Sequence, residues 1–202
     1  MPVAMESMSP VAIRTANRED EQRIVSTIVM AFASDPAARW AYPQADQYLT
    51  HFPSFVRAFG GKAFRHDSAH LAEDGAGAAL WLPPQVEPDE EELGGLLGET
   101  VPTEIRDDVF AVFEQMGSYH PSEPHWYLPM IGVDAPFQGR GYGSALLRHA
   151  LAACDRDQAP AYLESSNPKN VPLYRRHGFE LLGIIQVGSS PQMFPMLRRP
   201  GS

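Results

Sequence analysis

The chain has 202 residues, with 16 Lys+Arg against 25 Asp+Glu and a formal net charge of −9 at neutral pH. Apolar residues at 44% and charged residues at 20% describe a globular chain that can bury about 70% of its unfolded surface, which excludes a disordered or fibrous protein. The acidic balance argues against nucleic acid, the lone Cys154 excludes a disulfide framework or a Cys-built zinc site, and nothing approaches the roughly 18 apolar residues a membrane span needs.

Residues 1–10 have neither a basic nor an apolar signal-peptide region, so they are expected to form a flexible tail on a cytoplasmic protein. Val11 to Thr15 reads as a strand. Asn17 then caps a helix whose apolar positions are Ile24, Ile28, Val29 and Phe32, and Ser34-Asp35-Pro36 is expected to stop it. Ala37 to Gln47 reads as an aromatic loop, and Phe52, Phe55, Val56 and Phe59 mark a second helix ending at Gly60-Gly61. His70 to Ala72 and Ala78 to Leu82 read as strands joined by the turn Asp74-Gly75-Ala76-Gly77. Glu87 to Glu92 opens a solvated helix that continues through Leu97, and Ile105, Val109, Val112, Phe113 and Met116 trace another, closed by Gly117. Trp126 to Val133 is a nearly continuous apolar run, hence a buried central strand. A glycine-rich turn follows, then a helix with Leu146, Leu147, Ala150, Leu151 and Cys154 on its apolar stripe, where the thiol reads as core. Ala161 to Leu163 is a second buried strand ending at Glu164. A short helix from Asn170 to His177 closes on Gly178, and strands at Leu181 to Val187 and Met193 to Leu197 finish the chain. The pattern predicts an α/β core preceded by mixed elements.

Charge is unevenly placed: residues 1–137 hold 8 basic and 21 acidic residues (8 − 21 = −13), whereas 138–202 hold 8 and 4 (8 − 4 = +4). A positive last third points to an anionic ligand. The turn Gln138-Gly139-Arg140-Gly141-Tyr142-Gly143-Ser144 fits that ligand, because glycines let backbone N–H groups approach a pyrophosphate and the new helix adds its positive dipole end. A Walker A loop is excluded because Gly61-Lys62 precedes Ala63. The glycines run G-x-G-x-G, which departs from the dinucleotide fingerprint and weakens a nicotinamide-dependent reading. No G-x-S-x-G elbow is present.

The pattern [Q/R]-x-x-G-x-[G/A] is met by Gln138, Gly141 and Gly143, and Asn167 and Tyr174 precede Gly178-Phe179 about 30 residues later. With the apolar strand before them, these motifs resemble the GNAT acetyltransferase superfamily across 126–180. The segments 123–128, 162–166 and 170–174 are further similar to puromycin N-acetyltransferase-like bacterial members. The resemblance implies a mixed, mostly antiparallel twisted sheet with a splayed central strand pair and helices on both faces. It implies one domain over 11–202, with 11–125 mainly on the acceptor side, 126–180 the acetyl-CoA-binding core and 181–202 the C-terminal strands. Pantetheine amides would pair with Met130, Ile131, Gly132 and Val133. The pyrophosphate would sit on the turn formed by Gln138, Gly139, Arg140, Gly141, Tyr142, Gly143 and Ser144, with Asn167 and Asn170 nearby and Arg148 within possible reach. Tyr174 would stand beside the sulfur.

The chemistry requires a neutral amine, a backbone donor for the oxyanion and a proton for the departing thiolate. A phenol stays protonated near pH 7, so Tyr174 suits the last task. Glu164, at the end of a buried strand, is the candidate base, with Asp134, His120 and His125 behind it. Pro172 sets the helix start near Asn170, which would leave Asn167 freer to face the ligand. Trp40, Tyr42, Trp81, Phe113, Met116 and Trp126 are expected to line an acceptor pocket. The expected function is transfer of an acetyl group from acetyl-CoA to a primary amine of a small molecule by direct attack in a ternary complex, by a monomer or homodimer and without a metal. A catalytically silent acyl-CoA sensor is the alternative.

Overall fold

The structure is a computed structural model that describes residues 11–72 and 75–201. The expected tail at 1–10 and Asp74 of the expected hairpin turn lie outside them. Strands β1 (Ile13–Thr15), β2 (Ala69–Ala72), β3 (Gly77–Leu82), β4 (Trp126–Val133), β5 (Ala161–Ser165), β6 (Glu180–Leu181) and β7 (Phe194–Arg198) form one sheet in the order β1-β2-β3-β4-β5-β7-β6. Every neighbouring pair is antiparallel except β4 and β5. The helices are α1 (Glu21–Ala31), α2 (Pro36–Ala41), α3 (Ala45–Gly60), α4 (Glu90–Thr100), α5 (Arg106–Tyr119), α6 (Tyr142–Arg156) and α7 (Val171–Arg176).

The expected Asn17 cap is built as a reciprocal box. Its side chain accepts from the Glu19 and Asp20 N–H groups at 2.9 and 3.2 Å, and the Asp20 carboxylate accepts the Asn17 N–H at 2.9 Å. Three expectations are corrected. Helix α1 already ends at Ala31, and Ser34-Asp35-Pro36 starts a helix instead of stopping one: Asp35 caps α2 with Pro36 as its first residue, so part of the expected aromatic loop is helical. Helix α5 runs past Gly117 to Tyr119. The expected strand Leu181 to Val187 is only β6 plus a bridge from Ile185 to Met193; between them Gly183 lies against the Tyr119 ring, where a Cβ would lie 2.9 Å from the ring carbons.

Alternation along β3 divides the core. Leu80 and Leu82 face the layer formed by α1, α3, α4 and α5, whereas Ala79 and Trp81 face α6 and α7. Pairing of β4 with β5 covers only Trp126↔Ala161 and Tyr127↔Tyr162, after which the two parallel strands separate. On its other side β4 slips register against β3. Leu82 pairs with Tyr127 and Leu80 with Met130, so three steps of β4 face two of β3, a bulge at Leu128-Pro129. Proline fits there because a bulged residue need not donate to the ladder.

Candidate active site

The separation of β4 and β5 opens a cleft at mid-sheet. Its walls are Leu128 to Ile131 of β4 and Leu163 to Ser165 of β5, with Tyr174 and Asn170 on one side. The Asp134 N–H donates to Ala76 O at 2.9 Å, which fixes the alternation of β4: Met130 and Gly132 turn their backbone groups to β3, and Ile131 and Val133 turn theirs to the opened edge. Val133 O there accepts from the Gln138 amide at 3.0 Å. Of the four expected strand positions, two present backbone to the cleft edge and two spend it inside the sheet.

The turn after β4 has the conformation its glycines permit. Gly139 and Gly141 have φ of +75° and +88°, and Gly141 is the N-cap of α6. The first helical bond runs from the Ala145 N–H to Gly141 O at 2.9 Å, so the Gly143 and Ser144 N–H groups begin the helix without an intrahelical carbonyl. Gly143 is held closely, since a Cβ there would meet Leu173 at 3.2 Å. Ser144 Oγ lies 2.6 Å from His177 Nε2 and accepts from Arg148 at 3.0 Å, which ties the start of α6 to the end of α7. Arg140 lies over the Phe137 ring, 5.6 Å from its centroid. The asparagines exchange their expected roles: Asn167 spends its side-chain oxygen capping the turn at Lys169 (3.1 Å), and Asn170 lines the cleft.

Tyr174 is buried on the cleft, and burial, reinforced by nearby Asp35, raises its phenol above the usual range. Glu164 also lines the cleft, with its side chain 1% exposed. Tyr127 donates to its Oε2 at 2.9 Å, and His120 Nε2 lies 3.4 Å from Oε1. Asp134 is absent from the cleft lining.

Beyond the splay the cavity is largely aromatic. Trp40, Tyr42, Phe113 and Met116 line it as expected by position, together with Phe32, Phe52, Phe55 and Phe59. Trp81 and Trp126 do not. Each alternates with a residue facing the cavity layer and so points to the α6 side, where Trp81 is fully buried and the Trp126 indole donates to Asp157 at 3.2 Å. Asp35 and Ser166 were missed. Asp35 accepts from the Ala37 and Ala38 N–H groups at 3.0 and 3.1 Å and from Ser166 Oγ at 2.6 Å, joining α2 to the end of β5. Burial raises its carboxyl pKa against these hydrogen bonds. The Asp-Pro pair was the available signal for its cap.

A parallel pair that splays beside a helix-capped glycine turn defines an α/β fold of the acetyltransferase type. Residues 50–179 match the acetyltransferase (GNAT) family, and the chain belongs to it. A Schizosaccharomyces pombe protein described as uncharacterized N-acetyltransferase C550.08 is 37% identical over 78 residues, a match that spans 37% of this chain and 32% of that protein's length. Among solved structures, one described as histone acetyltransferase HPA2 and related acetyltransferase, from Corynebacterium glutamicum, superposes with a TM-score of 0.68 at 27% identity, covering 95% of this chain and 97% of that one. A Drosophila melanogaster polyamine N-acetyltransferase shares the fold with a TM-score of 0.65 at 12% identity over 94% and 99% of the two chains. No helix among the described residues is long and apolar enough to cross a membrane.

Proposed function

We propose that this acetyltransferase moves an acetyl group from acetyl-CoA to a primary amine of a small molecule, by direct attack while both are bound. The observation that carries the proposal is the splay itself, which puts Tyr174 and Glu164 on one cleft lined by the open backbone edge of β4. The donor's amides would add to the Ile131 and Val133 edge as a further strand, and its phosphates would meet the Gly143 and Ser144 N–H groups. The basic balance of residues 138–202 favours the same placement. Glu164 would take a proton from the incoming ammonium, and the N–H on the β4 edge would hold the oxyanion. Tyr174, kept neutral by burial, would give its proton to the thiolate as the C–S bond breaks. The aromatic cavity supports an amine with an apolar or aromatic body, and Asp35 and Glu164 support a cationic head. The narrower similarity to puromycin N-acetyltransferase-like proteins supports including an aminonucleoside among the acceptors.

Calorimetric titration of acetyl-CoA into wild type and Gly143→Asp tests the donor site. Aspartate would add a negative charge beside the phosphates and a side chain against Leu173. Binding in wild type that is lost in a folded variant supports the site, and an amine panel followed by thiol release then finds the acceptor. No binding in wild type overturns the proposal. Binding without turnover on any amine would favour the silent sensor.

A further inference from the structure

We infer that Glu164, His120 and His125 form a proton relay that carries the substrate's proton out of the reaction cleft into a second cavity on the far side of its aromatic wall. The inference rests on the acetyl transfer proposed above. The two cavities share Phe59, Leu97, Phe113 and Met116, and Glu164 lines only the first while His120 and His125 line only the second. Through this apolar partition the three polar side chains make a continuous line. Glu164 Oε1 is 3.4 Å from His120 Nε2, His120 Nδ1 is 3.1 Å from His125 Nε2, and His125 Nδ1 is 2.9 Å from Glu123 O.

The last contact orders the protons. A carbonyl oxygen only accepts, so His125 Nδ1 bears a hydrogen and, in the neutral ring, Nε2 offers a lone pair. His120 Nδ1 must then donate to it, which leaves His120 Nε2 as the free acceptor facing Glu164. The hydrogen-bond order therefore has one open position for a proton, between Glu164 Oε1 and His120 Nε2, and the buried Oε1 has no hydrogen-bond partner until a proton fills it. A proton placed on Oε1 passes to His120 Nε2 as the Nδ1 proton passes to His125 Nε2; His125, now protonated on both nitrogens, gives up its Nδ1 proton on the Glu123 side to water, and both rings return to the starting tautomers before the next turnover.

The stoichiometry requires such an exit. An ammonium loses two protons as the C–N bond forms and the C–S bond breaks, and the thiolate takes up only one. One proton per turnover has to leave a cleft whose lining is mostly apolar. Around the relay, Tyr127 and Tyr162 remain protonated phenols, both raised by burial and by Glu164. Glu87 and Glu123 are the carboxylates at the outer end, beside His125. Burial lowers the His125 pKa against the pull of its bond to the Glu123 carbonyl, so a proton that arrives there is passed on.

The test has two readouts on the whole chain. First, long-range 1H–15N spectra of the imidazoles, which need no acceptor, should show neutral His125 protonated at Nδ1, with Glu164→Gln shifting the signals of both rings. A neutral His125 protonated at Nε2 would overturn the relay. Second, once wild type turns over an amine, His125→Ala should lower kcat by about tenfold or more with the KM for acetyl-CoA unchanged. Added imidazole should restore the rate in proportion to its neutral form, which the loss of a merely structural histidine would not allow. A wild-type rate in His125→Ala, or a loss that imidazole leaves untouched in a folded variant, sinks the relay. Wild type that binds acetyl-CoA yet acetylates no amine would instead sink the transferase proposal, leaving the spectra to decide the proton order.

Discussion

The approach of α1 to the splayed strand gives a prediction that can be worked through from distances. Gly132 lies on β4 beneath the last turn of α1, and a Cβ added there would lie 2.7 Å from the Ala31 Cβ. Carbon atoms pack best at about 3.5–4.0 Å, so Gly132→Ala forces the helix and strand apart by about 1 Å. Ala31 has no flexible end to swing aside, and overpacking of this kind costs about 1–3 kcal/mol. For a chain of this length that lowers Tm by about 2–12 °C, measurable by circular dichroism. The clash has one main partner, because the next neighbours, Ile28 Cα at 3.5 Å and Phe32 at 3.7 Å, are ordinary contacts. Ala31→Gly, which alone costs about 0.5–1 kcal/mol, should therefore rescue Gly132→Ala, with a coupling of about 1–2 kcal/mol. The flanking Ile131 and Val133 carry the open edge, so acetyl-CoA affinity should fall and recover together with Tm. Additivity of the two substitutions within about 0.5 kcal/mol would refute the packing argument.

Tyr174→Phe removes a proton donor and keeps the ring that packs against Phe179, so turnover should fall about 100-fold or more while calorimetric acetyl-CoA binding stays near wild type. Asp20 is held at a pKa of about 2 by the Arg14 guanidinium and then by the Asn17 N–H. Its folded pKa lies below the unfolded 3.8, so its contribution is complete above about pH 4 and is lost as pH falls towards 2. Discounted for the partly exposed Arg14, that contribution is about 1–2 kcal/mol, and Asp20→Asn should remove the corresponding part of the acid dependence in urea titrations. Ser166→Ala takes a 2.6 Å hydrogen bond from the buried Asp35 carboxylate and should cost about 1–3 kcal/mol at neutral pH. Burial already raises the Asp35 pKa, so the carboxylate's penalty appears as pH rises through the folded value; the same variant should cost less at pH 4 than at pH 7.

The parts of the site that were legible in the sequence are those made by one contiguous segment. The strand Trp126–Val133, the turn with its positive-φ glycines and the helix it opens follow from residues that are neighbours in the chain. The same holds for the Asn17 box and for the Gly178 turn after α7, where φ is +84°. What escaped depends on partners far apart. Asp35 meets Ser166 across 131 residues, and His120 reaches Glu164 only because α5 runs to Tyr119 and delivers the histidine over the Tyr127 and Tyr162 rings. Trp81 and Trp126, expected in the acceptor pocket on aromatic character, lie on the α6 face, as period-2 alternation along their strands dictates. Pro129 was a readable sign of a bulge, since proline inside a central strand demands one.

That bulge connects the fold to the chemistry. A parallel pair kept in register to the end of β4 would have satisfied the Ile131 and Val133 backbone groups with β5, leaving no edge for a ligand strand and no gap for an acyl group. The bulge at Leu128-Pro129 and the two-residue limit of the β4/β5 pairing open the sheet instead. Proline places no N–H at the mouth of the opening, so the separation exposes fewer unpaired donors than any other residue would leave. The result is a cleft with a mostly apolar lining, where fixed dipoles would act more strongly on a developing oxyanion. In the proposed reaction the same apolar lining would hinder the escape of the proton that acetylation releases. The proposed side-chain line through the aromatic wall would resolve that conflict, because it would pass charge without admitting water to the cleft.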